Sequence, residues 1–312
     1  KTCRLATKQT RRQHINTRIK GAMLSRISPK LDSMRAQRAM PRPNAGPKCL
    51  IRTLSFYVFR ASQLLGTQLD CRISKLDRNA FPLTREAALS RMEGFLPLAG
   101  EAYARKRNVD LGANSHVHVS RLSAALRRRL ISEEELLAAV VAEHGPDVAE
   151  KFISEVFWRT YWKGWLEQRP GVWAGYKEAV ERGKQRLEGD RGLASRYTDA
   201  CDGRTGIDCF DAWSQELQAT EYLHNWARMQ FASIWIFTLG LPWELGADFM
   251  LERLVDGDQA SYTLSWRWVA GLHTSAKPYL ANAERVQATT GGRFAPIGLA
   301  TRAISLFDNV SI

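Results

Sequence analysis

The sequence predicts an all-α fold for everything beyond about residue 80. Three observations carry this. From Glu86 onward, apolar residues recur at three- and four-residue spacing. No alternating run long enough for a strand appears. The segments are punctuated by helix start and stop signals rather than by hairpin turns. With 312 residues, 45% of them hydrophobic, the chain has material for a sizeable core in one large domain or two small ones.

Glu86 to Leu98 places Ala88, Met92, Phe95 and Leu96 at helical spacing, and Leu98 to Arg107 continues through Tyr103. Asn108 to His118, with Gly112, reads as a loop, and Ser120-Arg121-Leu122-Ser123 leads into a short helix. Ser132-Glu133-Glu134-Glu135 is a capping box. The helix it opens ends at Gly145, where Pro146 suits the first turn of another. The next helix, with Phe152, Val156 and Tyr161 on its apolar side, stops before Pro170. Asp190 to Gly206 is polar and reads as a surface loop. Phe210 to Leu239 is helical, in one piece or two, ending at Gly240 and Pro242. Phe249 to Leu254 is a short helix, Tyr262 to Gly271 another, and the remainder thins into Gly291-Gly292 and an irregular tail.

The charge is split along the chain. The formal net charge is +13, but residues 1–80 hold 18 Lys and Arg against three Asp and no Glu, so the rest is nearly neutral. Nucleic-acid contact by the body therefore needs a local patch. Residues 1–80 show no sustained period, and Met40-Pro41-Arg42-Pro43-Asn44 is a cluster no helix crosses. Three readings of this segment stand side by side: a transit-like leader, a basic nucleic-acid-binding arm, and non-native upstream sequence. The expected division is residues 1–80, poorly structured, and 81–312, the helical domain. Five cysteines without a CxxC pair argue against a disulfide framework and a zinc site, and suit a reducing, cytoplasmic compartment; organelle targeting by the leader stays open. Met229 to Leu241 is too short to span a bilayer and reads as a buried helix. His116 and His118 lack Cys or carboxylate company at ligand spacing and read as solvated loop histidines, so no metal is expected.

The chemistry concentrates between Thr205 and Tyr279. A helix carries His224-Asn225-Trp226-Ala227-Arg228-Met229; an acidic turn, Asp256-Gly257-Asp258, follows, then Ser265-Trp266-Arg267-Trp268. Asn225, Arg228, Met229 and Ala232 share one helix face. An arginine on an otherwise apolar helix needs a carboxylate, and Asp256 is available. Taken alone, this is a structural ion pair.

The order and gaps of these motifs resemble the FAD-binding helical domain of the DNA photolyase/cryptochrome family, from near Phe81 to about Phe294. The resemblance implies FAD as cofactor and damaged DNA as partner. It implies that Arg228 pairs with Asp256 beside the flavin ring, that Asp258 contacts the flavin's polar edge or ribityl chain, and that Asn225 lies near the adenine and the substrate. Ser120-Arg121-Leu122-Ser123 resembles the family's Thr-Ser-x-Leu-Ser grip on the diphosphate, with Val119 in place of the first hydroxyl; Tyr103 and Arg107-Asn108 resemble its upstream Tyr…Arg-Asp. Glu155-Val156-Phe157-Trp158-Arg159-Thr160-Tyr161 resembles its Glu-Leu-x-Trp-Arg-Glu-Phe-Tyr. This implies Arg159 at the phosphates and Glu155, Trp158 and Met229 around an extruded pyrimidine dimer. Thr160 stands where the family has Glu.

All ten tryptophans lie between Trp158 and Trp268. The resemblance makes Trp266 and Trp243 the inner and middle members of an indole electron relay. The outer position falls near Ala200, so Tyr197 or Trp235 would have to serve. Tyr262 falls where the family sets a small polar residue, commonly Asn in repair enzymes, facing flavin N5. Residues 1–80 contain no strand–helix alternation, so the resemblance is to a short type without the α/β antenna domain, and no antenna chromophore is expected. Since the chain begins with Lys, the native start is expected either to be missing or to lie further in, and since it stops soon after the last motif, truncation at the C-terminus is the expectation there. The activity implied is light-driven electron transfer to pyrimidine dimers, as in a deoxyribodipyrimidine photolyase. The alternative is a cryptochrome-like blue-light sensor or an FAD-binding module without repair.

Overall fold

The computed structural model describes residues 81–113, 115–273 and 277–303. The expectations for residues 1–80 and for the extreme C-terminus lie outside these. The regular structure of the described residues is helical, with no strand among them.

Helix α1, Arg85–Phe95, starts where the Thr84 side chain accepts from Ala87 N at 3.2 Å, and it buries Ala88, Met92 and Phe95. A 3-10 turn, Leu96–Leu98, leads to α2, Glu101–Lys106, which buries Tyr103. The short α3 spans Ser123–Arg127. The capping box of α4, Glu133–Val148, is complete: Glu135 N donates to Ser132 Oγ and Ser132 N to Glu135. Gly145 breaks this helix with φ 75° and ψ 161°, a conformation that glycine alone adopts without strain, and Pro146 resumes it. Helix α5, Glu150–Glu167, buries Phe152, Ile153 and Val156.

Two helices follow where the sequence reading was incomplete or wrong. Helix α6, Pro170–Gly189, buries Tyr176, Val180 and Gly183. The stretch read as a polar loop, residues 190–206, is mostly helix α7, Arg191–Asp202. The Asp190 side chain caps it by accepting from Leu193 N at 2.9 Å, and Gly203 ends it at φ 67°. Its apolar side is one narrow stripe, Leu193, Ala200 and Cys201, which the polar composition masked.

Helix α8 spans Asp208–Thr220 and α9 spans Asn225–Ser233, so the Phe210–Leu239 region is in two pieces. A π-helical turn, Ile234–Thr238, continues α9. Helix α10, Trp243–Arg253, starts well before the expected Phe249, with Pro242 at its N-cap. Helix α11 spans Gln259–Val269, and α12, Ala283–Thr289, lies within the expected irregular tail, capped by Asn282.

Helix α11 packs against α5, α9 and α10. The core is aromatic: Phe210 stacks on Phe231 at 4.2 Å, and Trp235 meets Trp266 edge-on at 6.2 Å. Gly246 of α10 permits this closeness, since a Cβ there would overlap Trp266 and lie 2.8 Å from Trp235. Together α5, α9 and α11 bring the predicted charged residues to one place. No helix among the described residues is long and apolar enough to cross a membrane, and no group of three or more His, Cys, Asp and Glu there could hold a metal.

Candidate functional site

Arg228 lies one turn into α9, which begins where Trp226 N donates to His224 Nδ1 at 3.2 Å. Its Nε donates to Leu223 O at 2.7 Å, which fixes the direction of the guanidinium. The Nη1 atom donates to Tyr262 Oη at 2.7 Å, and that hydroxyl donates to Asp256 Oδ1. Arg228 and Asp256 themselves approach only to 3.9 Å. The expected pair is thus a chain of three groups with Tyr262 in the middle. Burial opposes the Arg228 charge, but the Tyr262 and Asp256 oxygens outweigh it and raise the pKa. Burial, with Asp256 beside it, keeps the Tyr262 phenol protonated well above its ordinary range.

A second network lies at the start of α11. The Asp258 side chain caps that helix, accepting from Ser261 N at 3.0 Å. Arg159 Nη2 of α5 comes within 3.1 Å of Asp258 Oδ2, and Lys163 Nζ within 3.6 Å. Glu133 lies 3.5 Å from Arg159 Nε. Burial would raise the Asp258 pKa, but Arg159, Lys163 and the Ser261 bonds hold it below its usual value. The buried atoms Arg159 Nε and Nη2 and Asp258 Oδ2 are close to opposite charge yet have no aligned hydrogen-bond partner. Arg121 Nε is likewise buried and unmatched. Buried polar atoms are normally matched. These guanidinium donors suit an anion such as a diphosphate, and the carboxylate oxygen suits a donor. Lys163 and Glu133 were not picked out from the sequence; Lys163 lies four residues after Arg159, a helical spacing that was there to be read.

The other expected residues fall around these networks. Glu155 of α5 is ion-paired with Arg107, whose guanidinium also bonds the buried Tyr103 hydroxyl. In the Ser120-Ser123 segment, Leu122 is fully buried and Leu122 N donates to Ser120 Oγ at 3.4 Å, while Ser123 starts α3. Arg121, at φ 54°, is held between the rings of Phe81 (4.6 Å) and Tyr222 (4.9 Å). Arg228 also lies over the Tyr222 ring, at 5.4 Å. Asn225 is exposed at the start of α9 and Met229 is half-buried one turn on. Trp158 is 38% exposed and meets Trp162 in a tilted contact at 5.3 Å.

The two relay indoles occupy different surroundings. Trp266 contacts Phe231 and Trp235, and Trp235 contacts Tyr197 at 5.8 Å. Trp243 instead meets Tyr176 at 5.7 Å. Ala200 is fully buried.

His116 corrects the sequence reading. It is buried, with Nε2 2.8 Å from Glu216 Oε1, and stacks on His224 at 5.6 Å. Asp110 draws its loop inward, accepting from Gly112 N at 3.0 Å and from Trp213 Nε1 at 2.9 Å, with Arg293 at 3.4 Å. His118 is half-buried, and burial and Lys106 lower its pKa.

The class this defines is a helical domain with a buried Arg228–Tyr262–Asp256 chain and, two residues on at Asp258, an incompletely matched ion network of the kind a polar ligand completes. Residues 152–295 match the family described as the FAD binding domain of DNA photolyase. This part of the chain therefore resembles the FAD-binding domain of DNA photolyase, and FAD is the cofactor that such a domain holds. The chain is 27% identical over 213 residues to the deoxyribodipyrimidine photo-lyase of Buchnera aphidicola, covering 66% of this chain and 43% of that one. The fold matches a bacterial class III photolyase from Agrobacterium tumefaciens with TM-score 0.56 and 24% identity, over 67% of this chain and 43% of the other. It also matches a Synechocystis cryptochrome with TM-score 0.57 and 20% identity, over 69% and 46%. The chain thus spans less than half the length of the proteins it matches.

Proposed function

We propose that the chain binds FAD between α5, α9, α11 and the loop before α3, and acts as a photolyase-like protein on pyrimidine dimers in DNA. The observation that carries this reading is the Arg228–Tyr262–Asp256 chain standing beside the unmatched Arg159–Asp258 pair. When bound, the flavin supplies light absorption and the transferred electron. Everything else falls to this chain's own groups. Arg159 and the backbone and hydroxyls of Ser120, Arg121, Leu122 and Ser123 hold the phosphates, with Tyr103 behind them. Arg228, Asp256, Asp258 and Tyr262 match the polar edge of the ring system. Glu155, Trp158, Asn225 and Met229 form the lesion side, where an extruded base stacks on the exposed indole. Trp266 and Trp243 are the relay indoles in this reading, and the Trp235–Tyr197 contact supplies the outer step from Trp266. The buried free thiols Cys201 and Cys209 suit a reducing compartment.

A second reading, a cryptochrome-like sensor without repair, is favoured by Tyr262. A phenol there is bulkier than an amide and is already committed to Arg228 and Asp256. The deciding experiment is light-dependent loss of thymine dimers from irradiated DNA. Loss that disappears in Glu155→Gln supports repair; flavin photochemistry with the dimers left intact supports the sensor.

A further inference from the structure

Helix α8 makes two polar contacts with the loop that precedes α3, and the proposed function uses neither. Trp213 and Glu216 lie three residues apart and so share one face of that helix. Trp213 Nε1 donates to Asp110 Oδ2 at 2.9 Å, and Glu216 Oε1 lies 2.8 Å from His116 Nε2. The loop from Asp110 to His116 is thus fastened to α8 at both ends. Its first end is held again from the other side, where Asp110 N donates to Thr289 O at 3.0 Å and Arg293 Nη2 donates to Asp110 O at 3.1 Å. At its second end, among the described residues, the hydrogen bond that crosses to α8 is that of His116. A carboxylate only accepts, so Nε2 carries the hydrogen. Nδ1, 3.9 Å from Asp110 Oδ1, has no hydrogen-bond partner among the described residues. An imidazole and a carboxylate are both buried here, which is costly unless they meet.

The chain after His116 has few other holds. The Ser120–Ser123 segment begins four residues on. Arg121 sits at φ 54°, a left-handed backbone that a residue other than glycine keeps only when its surroundings hold it. Local bonding is slight: Leu122 N reaches Ser120 Oγ at 3.4 Å. The Arg121 guanidinium rests on the rings of Phe81 and Tyr222, and His116 abuts the second of these, meeting Tyr222 edge-on at 5.1 Å. His116 therefore fixes the incoming chain and also supports a ring on which Arg121 rests. Arg228 has separate fastenings, Leu223 O and Tyr262.

We propose that His116 is a positioning residue for cofactor binding: its bond to Glu216 holds the Ser120–Ser123 segment in the conformation that receives a diphosphate. That the segment receives a diphosphate rests on the proposed function; the fastening itself requires no flavin. A chain whose loop is released part of the time binds with an apparent affinity reduced to the fraction still in place.

The test distinguishes the two ring nitrogens by isosteres. In His116→Gln the side-chain amide nitrogen falls near Nε2 and still donates to Glu216. In His116→Asn it falls near Nδ1 and does not reach. The full chain, freed of flavin, is titrated with FAD while the quenching of flavin fluorescence is followed, and amide hydrogen exchange is measured on the same flavin-free samples. The expected result is FAD binding weakened about tenfold or more in His116→Asn but within about threefold of wild type in His116→Gln, the scale set by one buried hydrogen bond. Exchange in His116→Asn is expected to accelerate at residues 117–123, with α9 and α11 at wild-type rates. A role in global stability alone would instead accelerate α8, α9 and α11 together. Equal FAD affinities in the two variants, unchanged affinity in His116→Asn, or acceleration shared by all the helices each overturns the proposal. Glu216→Ala removes the same bond from the α8 side and carries the test if His116→Asn fails to fold. A wild type that takes up no FAD counts against the proposed function; acceleration confined to residues 117–123 then still supports the fastening, and its absence overturns it.

Discussion

Tyr262 stands between Arg228 and Asp256: it accepts from the guanidinium at 2.7 Å and donates to the carboxylate, whose own distance to Arg228 is 3.9 Å. A buried cation and anion joined through a neutral hydroxyl stay mutually compensated. This makes the three groups unequal when removed one at a time.

Arg228→Ala leaves Asp256 buried beside a neutral phenol alone. Breaking a buried pair in this way costs about 3 kcal/mol, and the variant is expected to lose that much stability and to retain no flavin. Tyr262→Phe removes the bridge but not the charges, at about 1 kcal/mol, and flavin remains bound. Denaturant titration and the absorbance of the purified variants measure both. Equal losses would contradict the bridging role.

Acid stability provides a second check. Burial, with Arg228 and the neighbouring His116 also opposing protonation, lowers the His224 pKa to about 4, and burial, Arg267 and Arg169 do the same for His273. Between about pH 4 and the ordinary value near 6.5, the unfolded chain binds protons that the folded chain refuses. Stability contributed by these groups is complete above about pH 6.5 and falls as the pH is lowered toward 4. His224→Asn can still cap α9 and is expected to flatten part of this decline. Tm measured across that range, in wild type and variant, reads the difference directly.

Gly246→Ala introduces a methyl group into the Trp266 ring, with Trp235 only 2.8 Å away. Overpacking of this kind costs roughly 1–3 kcal/mol. Because both rings must shift, the tryptophan emission spectrum is expected to change along with Tm. An unchanged spectrum and Tm would mean that α10 and α11 pack less closely than described.

Much of this was legible in the sequence. The capping box at Ser132 and the break at Gly145 follow from local chemistry, and the gathering of Arg228, Asp256 and Asp258 from helix spacing and motif order, whereas the division of the Phe210–Leu239 region at Glu221 was left open. Helix α7 was not legible by composition, because its buried stripe is only Leu193, Ala200 and Cys201. Helix α12 was missed because its seven residues bury only Val286. The insertion of Tyr262 between Arg228 and Asp256 depends on how α9 and α11 cross, which no local pattern records. His116 was misread because its partner, Glu216, lies 100 residues away. Lys163 could have been found from its helical spacing to Arg159.

The most direct measurement is the absorption spectrum of the purified chain, with the flavin content determined after denaturation. One FAD per chain, released by Arg228→Ala, is the predicted result. A folded, colourless protein that takes up no FAD on addition would contradict the account.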